Sequence, residues 1–432
     1  MSLGTYFDQL EHDVLAAMRK PSKLYWTALA VSAAAFALGL GCWGWQIYEG
    51  LGVAGIRSPV GWGVYITDFV FWVGIAHSGT LISAVLFLFR AKFRCSFNRS
   101  AEAMTVIAVM TAGLFPLIHL GRCWFFYWLM PYPNQRHLWV NFRSPLIWDV
   151  FAVSTYFTIS AVFFFVGLIP DLAIARRRFT GWRHWVFRIL SLGWQGTAEQ
   201  WKHYAWLYMF LAAFATPLVI SVHSVVSWDF AMSVIPGWHT TIFAPYFVAG
   251  AIFSGTAMVI TLVVPMRKIL GLDSYITVDH FEAIAKILLF TSLIVSYSYI
   301  VEFVLAWYSG NPFEIAHFSF RAVGDYRYLY WLMLFCNGLL PLTLFVKRLR
   351  RNLKYLFVLS LFVNVGMWLE RFVIIVSSLA RDFDPYNWGN YAPRFVEIGV
   401  TIGSFGMFFM LFLIFTKMLP VLAIAEVKEH SS

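Results

Sequence analysis

Eleven ionisable side chains embedded in long apolar runs are the residues of this sequence that could do chemistry. The first half holds Asp68, His77, His119, Arg122 and Asp149; the second holds His223, Asp229, Lys286, Glu302, Glu370 and Arg371. His119 and Arg122 are three residues apart and would share one helix face. Both fall toward the outer end of their run, with Asp149 and Asp68 each about one turn into theirs. One imidazole, one guanidinium and two carboxyls thus read at a single level. Such a set suits an amphipathic molecule whose head carries protons, because carboxylate and imidazole can accept them. The plainer alternative is a structural ion pair of Arg122 with Asp149. His77, His223, Asp229, Glu302, Glu370 and Arg371 are functional candidates by default, because a charge within the membrane is costly. Adjacent helix positions do not face each other, so Glu370 and Arg371 each call for a partner elsewhere.

Metal and haem readings are weaker. Cys42, Cys95, Cys123 and Cys336 are scattered without a CxxC pair, whereas an iron–sulfur cluster takes four thiolates at recognisable spacing. A membrane haem held by two histidines needs both at one depth on facing helices. His77 reads near the midplane and His119 and His223 nearer the outer face, so only the last two could pair. No haem, cluster or metal site is expected in this chain.

These residues need elements to position them, and the composition says which. The chain has 432 residues, of which 60% are hydrophobic and 12% charged, with a mean hydropathy of +0.69. A soluble domain carries roughly 25% charged residues, so half the usual solvating charge is missing. A soluble enzyme, a nucleic-acid-binding domain and a disordered chain are excluded. Ten apolar runs, at 24–47, 64–89, 101–128, 146–170, 204–228, 242–265, 281–307, 328–346, 355–379 and 394–416, are long enough to cross a ~30 Å hydrocarbon core. The fold class is an all-α polytopic membrane protein of about ten transmembrane helices.

The net charge of +10 is a topology signal. Arg19, Lys20, Lys23, Arg90, Lys92, Arg94, Arg99, Arg176, Arg177, Arg178 and the cluster Lys347 to Lys354 fall on one side. About 22 of the 32 Lys and Arg face that way, which the positive-inside bias makes cytoplasmic, with both termini. The expected location is a bacterial cytoplasmic membrane. Residues 1–23 read as a helix on the cytoplasmic surface, with Phe7, Leu10, Val14, Leu15 and Met18 on one face. Residues 24–416 form the membrane domain and 417–432 a cytoplasmic tail. No cleavable signal is expected, since more than twenty polar residues precede the first run. The segment 176–203, rich in Arg and Trp, suits a further surface helix. Loops at 132–135, 236–239, 309–312 and 384–388, rich in Pro, Asn and Trp, read as structured turns.

One internal echo is visible. Ser78-Gly79-Thr80 in the second run matches Ser254-Gly255-Thr256 in the sixth. Carried outward, spans two to five would correspond to spans six to nine as two parallel repeats. Asp68 and His77 then align with Ala244 and Phe253, which places the chemistry in the first repeat.

The residues now carry a resemblance. Gly63-Val64-Tyr65-Ile66-Thr67, Gly74-Ile75-Ala76-His77-Ser78-Gly79-Thr80, Phe115-Pro116-Leu117-Ile118-His119-Leu120-Gly121-Arg122 and Phe142-Arg143-Ser144-Pro145-Leu146-Ile147-Trp148-Asp149 resemble the NrfD-like membrane subunits related to polysulfide reductase. Pro236-Gly237-Trp238-His239, Trp307-Tyr308-Ser309-Gly310-Asn311-Pro312 and Gly366-Met367-Trp368-Leu369-Glu370-Arg371-Phe372 are similar to the ActC quinol-oxidising subunits of bacterial alternative complex III. The resemblance implies a cofactor-free, ten-helix subunit that oxidises a quinol, menaquinol being the expected one, near the periplasmic face. His119 and Asp149 would bind the quinol hydroxyls and take their protons, with Arg122 and Asp68 lining the pocket. His77, His223 and the downstream acids would serve proton transfer. Implied partners are a periplasmic iron–sulfur, molybdopterin-like subunit, c-type haem subunits, a second NrfD-like membrane subunit and a terminal oxidase or other electron acceptor. Two positions depart from the pattern: Cys123 stands where Pro is expected, and Ala76 where Gly is expected. The competing classes are a proton-coupled secondary transporter, which Pro116, Pro217 and Pro341 would permit by kinking helices, and the anchor of another quinone-linked oxidoreductase.

Overall fold

A computed structural model describes residues 3–19, 21–130, 142 and 144–431. The turn at 132–135, Lys20 and Arg143 lie outside the described residues. Ten helices are long and apolar enough to cross a membrane: Lys23–Glu49, Val64–Leu88, Asn98–His119, Pro145–Arg178, Ala198–Ala231, Phe243–Leu270, Val278–Ser309, Arg327–Phe345, Leu353–Ala380 and Phe395–Met418. They are called the first to tenth spans. No strand interrupts them among the described residues.

The third span ends at His119, nine residues before the apolar run does. Gly121 turns the chain with φ +72, a conformation that side chains with a Cβ resist. The aromatic stretch after it forms a separate 3-10 turn, Cys123–Leu129. Arg122 therefore stands outside the helix and does not share a helix face with His119. Apolar character marked membrane affinity here, not helix length.

Spans two and eight contain π turns, at Leu81–Val85 and Phe335–Leu339. Single π turns inside helices are frequent at functional sites. The eighth span continues as a 3-10 helix, Leu340–Phe345, with Pro341 in its first turn. Neither span unwinds into the paired half-helices of a transporter site.

Helix contacts are made by small residues, as membrane packing requires when lipid tails are as apolar as side chains. The first and tenth spans meet at Gly39 and Gly403, where an added Cβ would fall 2.5 Å from the facing Cα. The echoed Ser-Gly-Thr motifs meet each other: Ser78 Oγ donates to the Ile252 carbonyl at 2.6 Å and lies 3.3 Å from Thr256 Oγ1. A Cβ on Gly255 would stand 2.5 Å from that of Ser78.

Among the described residues, four helices of eight or more residues lie outside the spans. In Leu3–Ala17 and the turn that follows it, Leu10, Val14, Leu15 and Met18 are buried, so this apolar face is turned onto protein. Trp182–Leu190 fills part of the expected surface segment. Ile424–Ser431 closes the chain. Pro312–Val323, on the loop side, was not expected. Its start was legible in Asn311 as cap, Pro312 in the first turn and Glu314 three residues on.

Candidate functional site

The loop-side ends of the fourth and fifth spans carry the same dipeptide, Trp148-Asp149 and Trp228-Asp229. The two indoles pack edge to face at 6.0 Å. The Asp149 carboxyl lies within hydrogen-bonding reach of the Asp229 carboxyl. One oxygen of each is buried with no other partner. Two carboxyls in contact can share a single proton. This replaces the expected Arg122–Asp149 pair: Arg122 is exposed and makes no ion pair with Asp149. The repeated Trp-Asp was the sequence signal for the pairing.

His119 is the last residue of the third span, at that same end of the bundle, and its Nδ1 is buried without a partner. Next to it, Gln46 donates from Nε2 to the Ile118 carbonyl at 2.8 Å, and Tyr65 donates to Gln46. Asp68 faces elsewhere. Its two oxygens accept from Trp368 Nε1 and Thr401 Oγ1, both at 2.7 Å. It ties the second span to the ninth and tenth and is not joined to Asp149.

Deeper in the bundle, His77 and His223 touch, with ring centres 4.8 Å apart. Tyr156 stacks on His77 at 4.7 Å. His77 Nδ1 lies 2.5 Å from the Val73 carbonyl, which can only accept, so Nδ1 carries the proton. That leaves His77 Nε2 and both nitrogens of His223 buried and unpartnered. Tyr156 continues the chain to Thr80 Oγ1 at 2.6 Å and to the Ala76 carbonyl at 3.0 Å. His119 and His223, the one pair that the sequence left open for a haem, do not form the contact; His223 meets His77 instead, and the direct ring contact leaves no room for a porphyrin between those two.

The second half holds its own polar cluster, although the echo pointed to the first. Glu370 and Arg371 pair with each other at 2.8 Å, contrary to expectation, because both side chains are long enough to bend round the helix. Glu370 also accepts from Tyr299, which Asn337 of the π turn meets at 2.9 Å. The Arg371 guanidinium lies 4.3 Å over Phe247, and Phe247 in turn packs against His223 at 5.9 Å. A side chain at Gly250 would take the guanidinium's place, since its Cβ would fall 2.9 Å from Arg371 Nη2.

Glu302 meets Arg321 of the loop-side helix at 3.8 Å. Arg321 donates to Ser377 at 3.1 Å and Ser378 at 3.3 Å. Burial, with Arg321 beside it, holds His317 well below the ordinary histidine value; it bonds Ser378 as a neutral ring at 3.3 Å. Burial likewise pushes the Glu314 carboxyl up, against the Gly237 N–H that it accepts at 2.9 Å.

Arg94 and Arg99 count in the sequence as topology signals on the basic side. Both are buried. Arg99 pairs with Glu102 at 2.7 Å and Asp171 at 2.9 Å, and Arg94 pairs with Glu426 at 2.7 Å. Glu102 and Asp171, acids inside the basic ends of spans three and four, were the signal for this network.

Chemically, the arrangement offers proton acceptors at one end of the bundle and protic groups beneath them. Asp229 to His223 is six residues and Asp149 to Tyr156 seven, about 9–10 Å along a helix. Side chains alone therefore do not form an unbroken chain between the two levels. Among the described residues no group of three or more metal-ligating side chains is present.

Known proteins sharpen this picture. Residues 52–381 match the family Polysulphide reductase, NrfD, and the chain belongs to that family. It is 27% identical over 409 residues to a Halobacterium salinarum protein named as a candidate membrane subunit of dimethyl sulfoxide reductase, covering 87% of this chain and 86% of the relative. It is 22% identical over 432 residues to a selenate reductase subunit of Mesobacillus selenatarsenatis, covering 92% and 94%. A shorter match, 24% over 142 residues, covers 33% of this chain and 34% of the Hdr-like menaquinol oxidoreductase integral membrane subunit of Archaeoglobus fulgidus.

Proposed function

We propose that this NrfD-family chain is the quinol-binding and quinol-oxidising membrane subunit of an electron-transfer complex. The observation that carries the reading is the Asp149–Asp229 carboxyl pair, at the same end of the bundle as the unpartnered His119 nitrogen. Oxidising a quinol to a quinone releases two protons and two electrons. In this reading the carboxyl pair takes one proton from a quinol hydroxyl, and His119 Nδ1 takes the other. The electrons leave to an iron–sulfur partner on the loop side, the periplasmic side if the basic side is cytoplasmic. Arg122, exposed beyond the helix end, lines the approach; Asp68 positions the surrounding spans. His77, His223 and Tyr156, with water bridging the 9–10 Å gap, carry protons between the site and the membrane interior. Arg371, Glu370 and Glu302 form a second protic group in the other half, with Arg371 held over Phe247, the ring that packs against His223.

The acceptor divides two versions of the proposal. The motif resemblance favours alternative complex III, with menaquinol, c-type haem subunits and a second NrfD-like subunit. The relatives named for dimethyl sulfoxide and selenate reductases favour a molybdoenzyme partner. The chain's own chemistry is the same in both.

Asp149→Asn tests the proposal. The amide keeps size and a hydrogen bond to Asp229 but loses basicity, and positioned acid–base groups contribute ~10²–10⁴ in rate. Membranes carrying the variant should contain normal amounts of the protein and lose most quinol-dependent electron transfer. Full activity with full assembly would refute the site.

A further inference from the structure

On the side of the chain termini, the second, fourth and fifth spans and the C-terminal helix enclose a cavity of about 1130 Å³. Small-molecule sites typically measure ~300–1,000 Å³, so this one is large for a soluble metabolite. Its lining is divided. Leu88, Ile174 and Met209 form an apolar wall from within the membrane-spanning helices. The lining carries five cationic side chains, Arg90, Lys92, Arg94, Arg177 and Lys428, against three carboxyls, Glu11, Glu426 and Glu429.

The charges are not equally engaged. Lys428 is held by Glu11 at 2.5 Å and Arg94 by Glu426 at 2.7 Å. Arg90, Lys92 and Arg177 are exposed and form no ion pair among the described residues. Behind them, Arg94 is 2% exposed, and its second terminal nitrogen, Nη1, is buried without a hydrogen-bond partner. The Tyr204 hydroxyl, on the same lining, is also buried and unpartnered. Buried donors without partners are rare in folded proteins and point to a group that the protein alone does not supply.

We propose that this cavity binds an anionic phospholipid of the leaflet on the side of the termini. Its phosphate sits among Arg90, Lys92 and Arg177, with Arg94 Nη1 as a further donor. Its acyl chains run along Leu88, Ile174 and Met209. Charge complementarity selects an anionic headgroup, since basic residues at a membrane surface attract such lipids individually and additively. The apolar wall distinguishes a two-tailed lipid from a free anion.

The test uses the chain in its purified complex, stripped of lipid by detergent exchange. Phosphatidylglycerol, phosphatidylcholine and inorganic phosphate are added separately, with bound lipid counted by native mass spectrometry and stability followed by thermal denaturation. Phosphatidylglycerol should be retained and raise the melting temperature; phosphatidylcholine and inorganic phosphate should do neither. The triple variant Arg90→Gln, Lys92→Gln, Arg177→Gln should lose affinity for it by about tenfold or more, as removing three charges from an anionic headgroup requires. Should that variant fail to assemble, Leu88→Trp, which narrows the acyl path and leaves the charges in place, should also lose retention. Equal effects of phosphatidylcholine would overturn the proposal, as would undiminished binding by the assembled triple variant or by Leu88→Trp. The same stabilisation by inorganic phosphate would replace the lipid with a free anion.

Discussion

At the scale of single residues, the sequence identifies the ionisable groups inside the membrane but not their partners. Spacing along a helix says which residues share its face, and nothing about which face of a neighbour comes opposite. Depth alone assigns Arg122 to Asp149, and the structure puts Asp229 there. Likewise depth places His223 with His119, whereas its ring contacts His77. Arg94 and Arg99 read only as part of the basic bias at the span ends, and that bias does not reveal that both are buried in ion pairs. The His77–His223 contact makes its own claim. Three of its four ring nitrogens are unpartnered, and the pair is too deep to meet a quinol bound at the span ends. His77→Phe should therefore leave assembly and quinol affinity unchanged while slowing turnover by up to the ~10² that one proton-transfer group supplies. Quinol titrations of turnover in membranes check this. A raised KM at unchanged kcat would place His77 in the binding site instead.

At the scale of elements, all ten spans were legible, because an apolar run of that length has few other uses. Their ends were not, because apolar character continues past the helix where aromatic residues line its end, as at 123–129. The helix at Pro312–Val323 escaped notice because it is amphipathic and lies between two runs. It supplies Arg321, without which Glu302 has no ion-pair partner. The contact of the first and tenth spans depends on glycine at one crossing. Gly403→Leu would place a side chain inside the Gly39 backbone, and overpacking of this kind costs at least ~1–3 kcal/mol. The variant should melt at lower temperature than the native chain. Gly41→Leu, where an added Cβ meets nothing within 4 Å, should not. Equal melting of both variants would show that the crossing is slack.

The same scale includes how the two ends of the chain are held. Lys428 of the C-terminal helix bonds Glu11 of the N-terminal helix at 2.5 Å, and Arg178 bonds it at 3.2 Å. Burial pushes the Glu11 carboxyl up, but the two cations outweigh it and leave it below the ordinary glutamate value. A carboxylate lowered in the folded state stabilises above the unfolded value of about 4.3, and that contribution is lost as pH falls through the folded value. Proteolysis of the tail should therefore quicken below about pH 4, and Glu11→Gln should show faster cleavage already at pH 7. Cleavage of the native chain at one rate from pH 7 to 4 would mean that other contacts hold the tail.

At the scale of the whole molecule, composition alone excluded soluble, nucleic-acid-binding and disordered classes, and the basic asymmetry set an expected orientation. The motifs led to the NrfD family, to which the chain belongs. What they did not convey is that the buried polar clusters of the two halves approach each other at Phe247, which Arg371 covers and His223 meets. That approach needs Gly250 on one helix and Arg371 on another, a relation with no sequence spacing of its own. The central claim is that a quinol binds where the third, fourth and fifth spans end on the loop side. Photolabelling the complex in membranes with an azido-quinone, followed by peptide mapping, measures this directly. The account expects adducts around His119, Asp149 and Asp229, suppressed by excess quinol. Adducts confined to the cavity on the side of the termini, between the second, fourth and fifth spans, would contradict it.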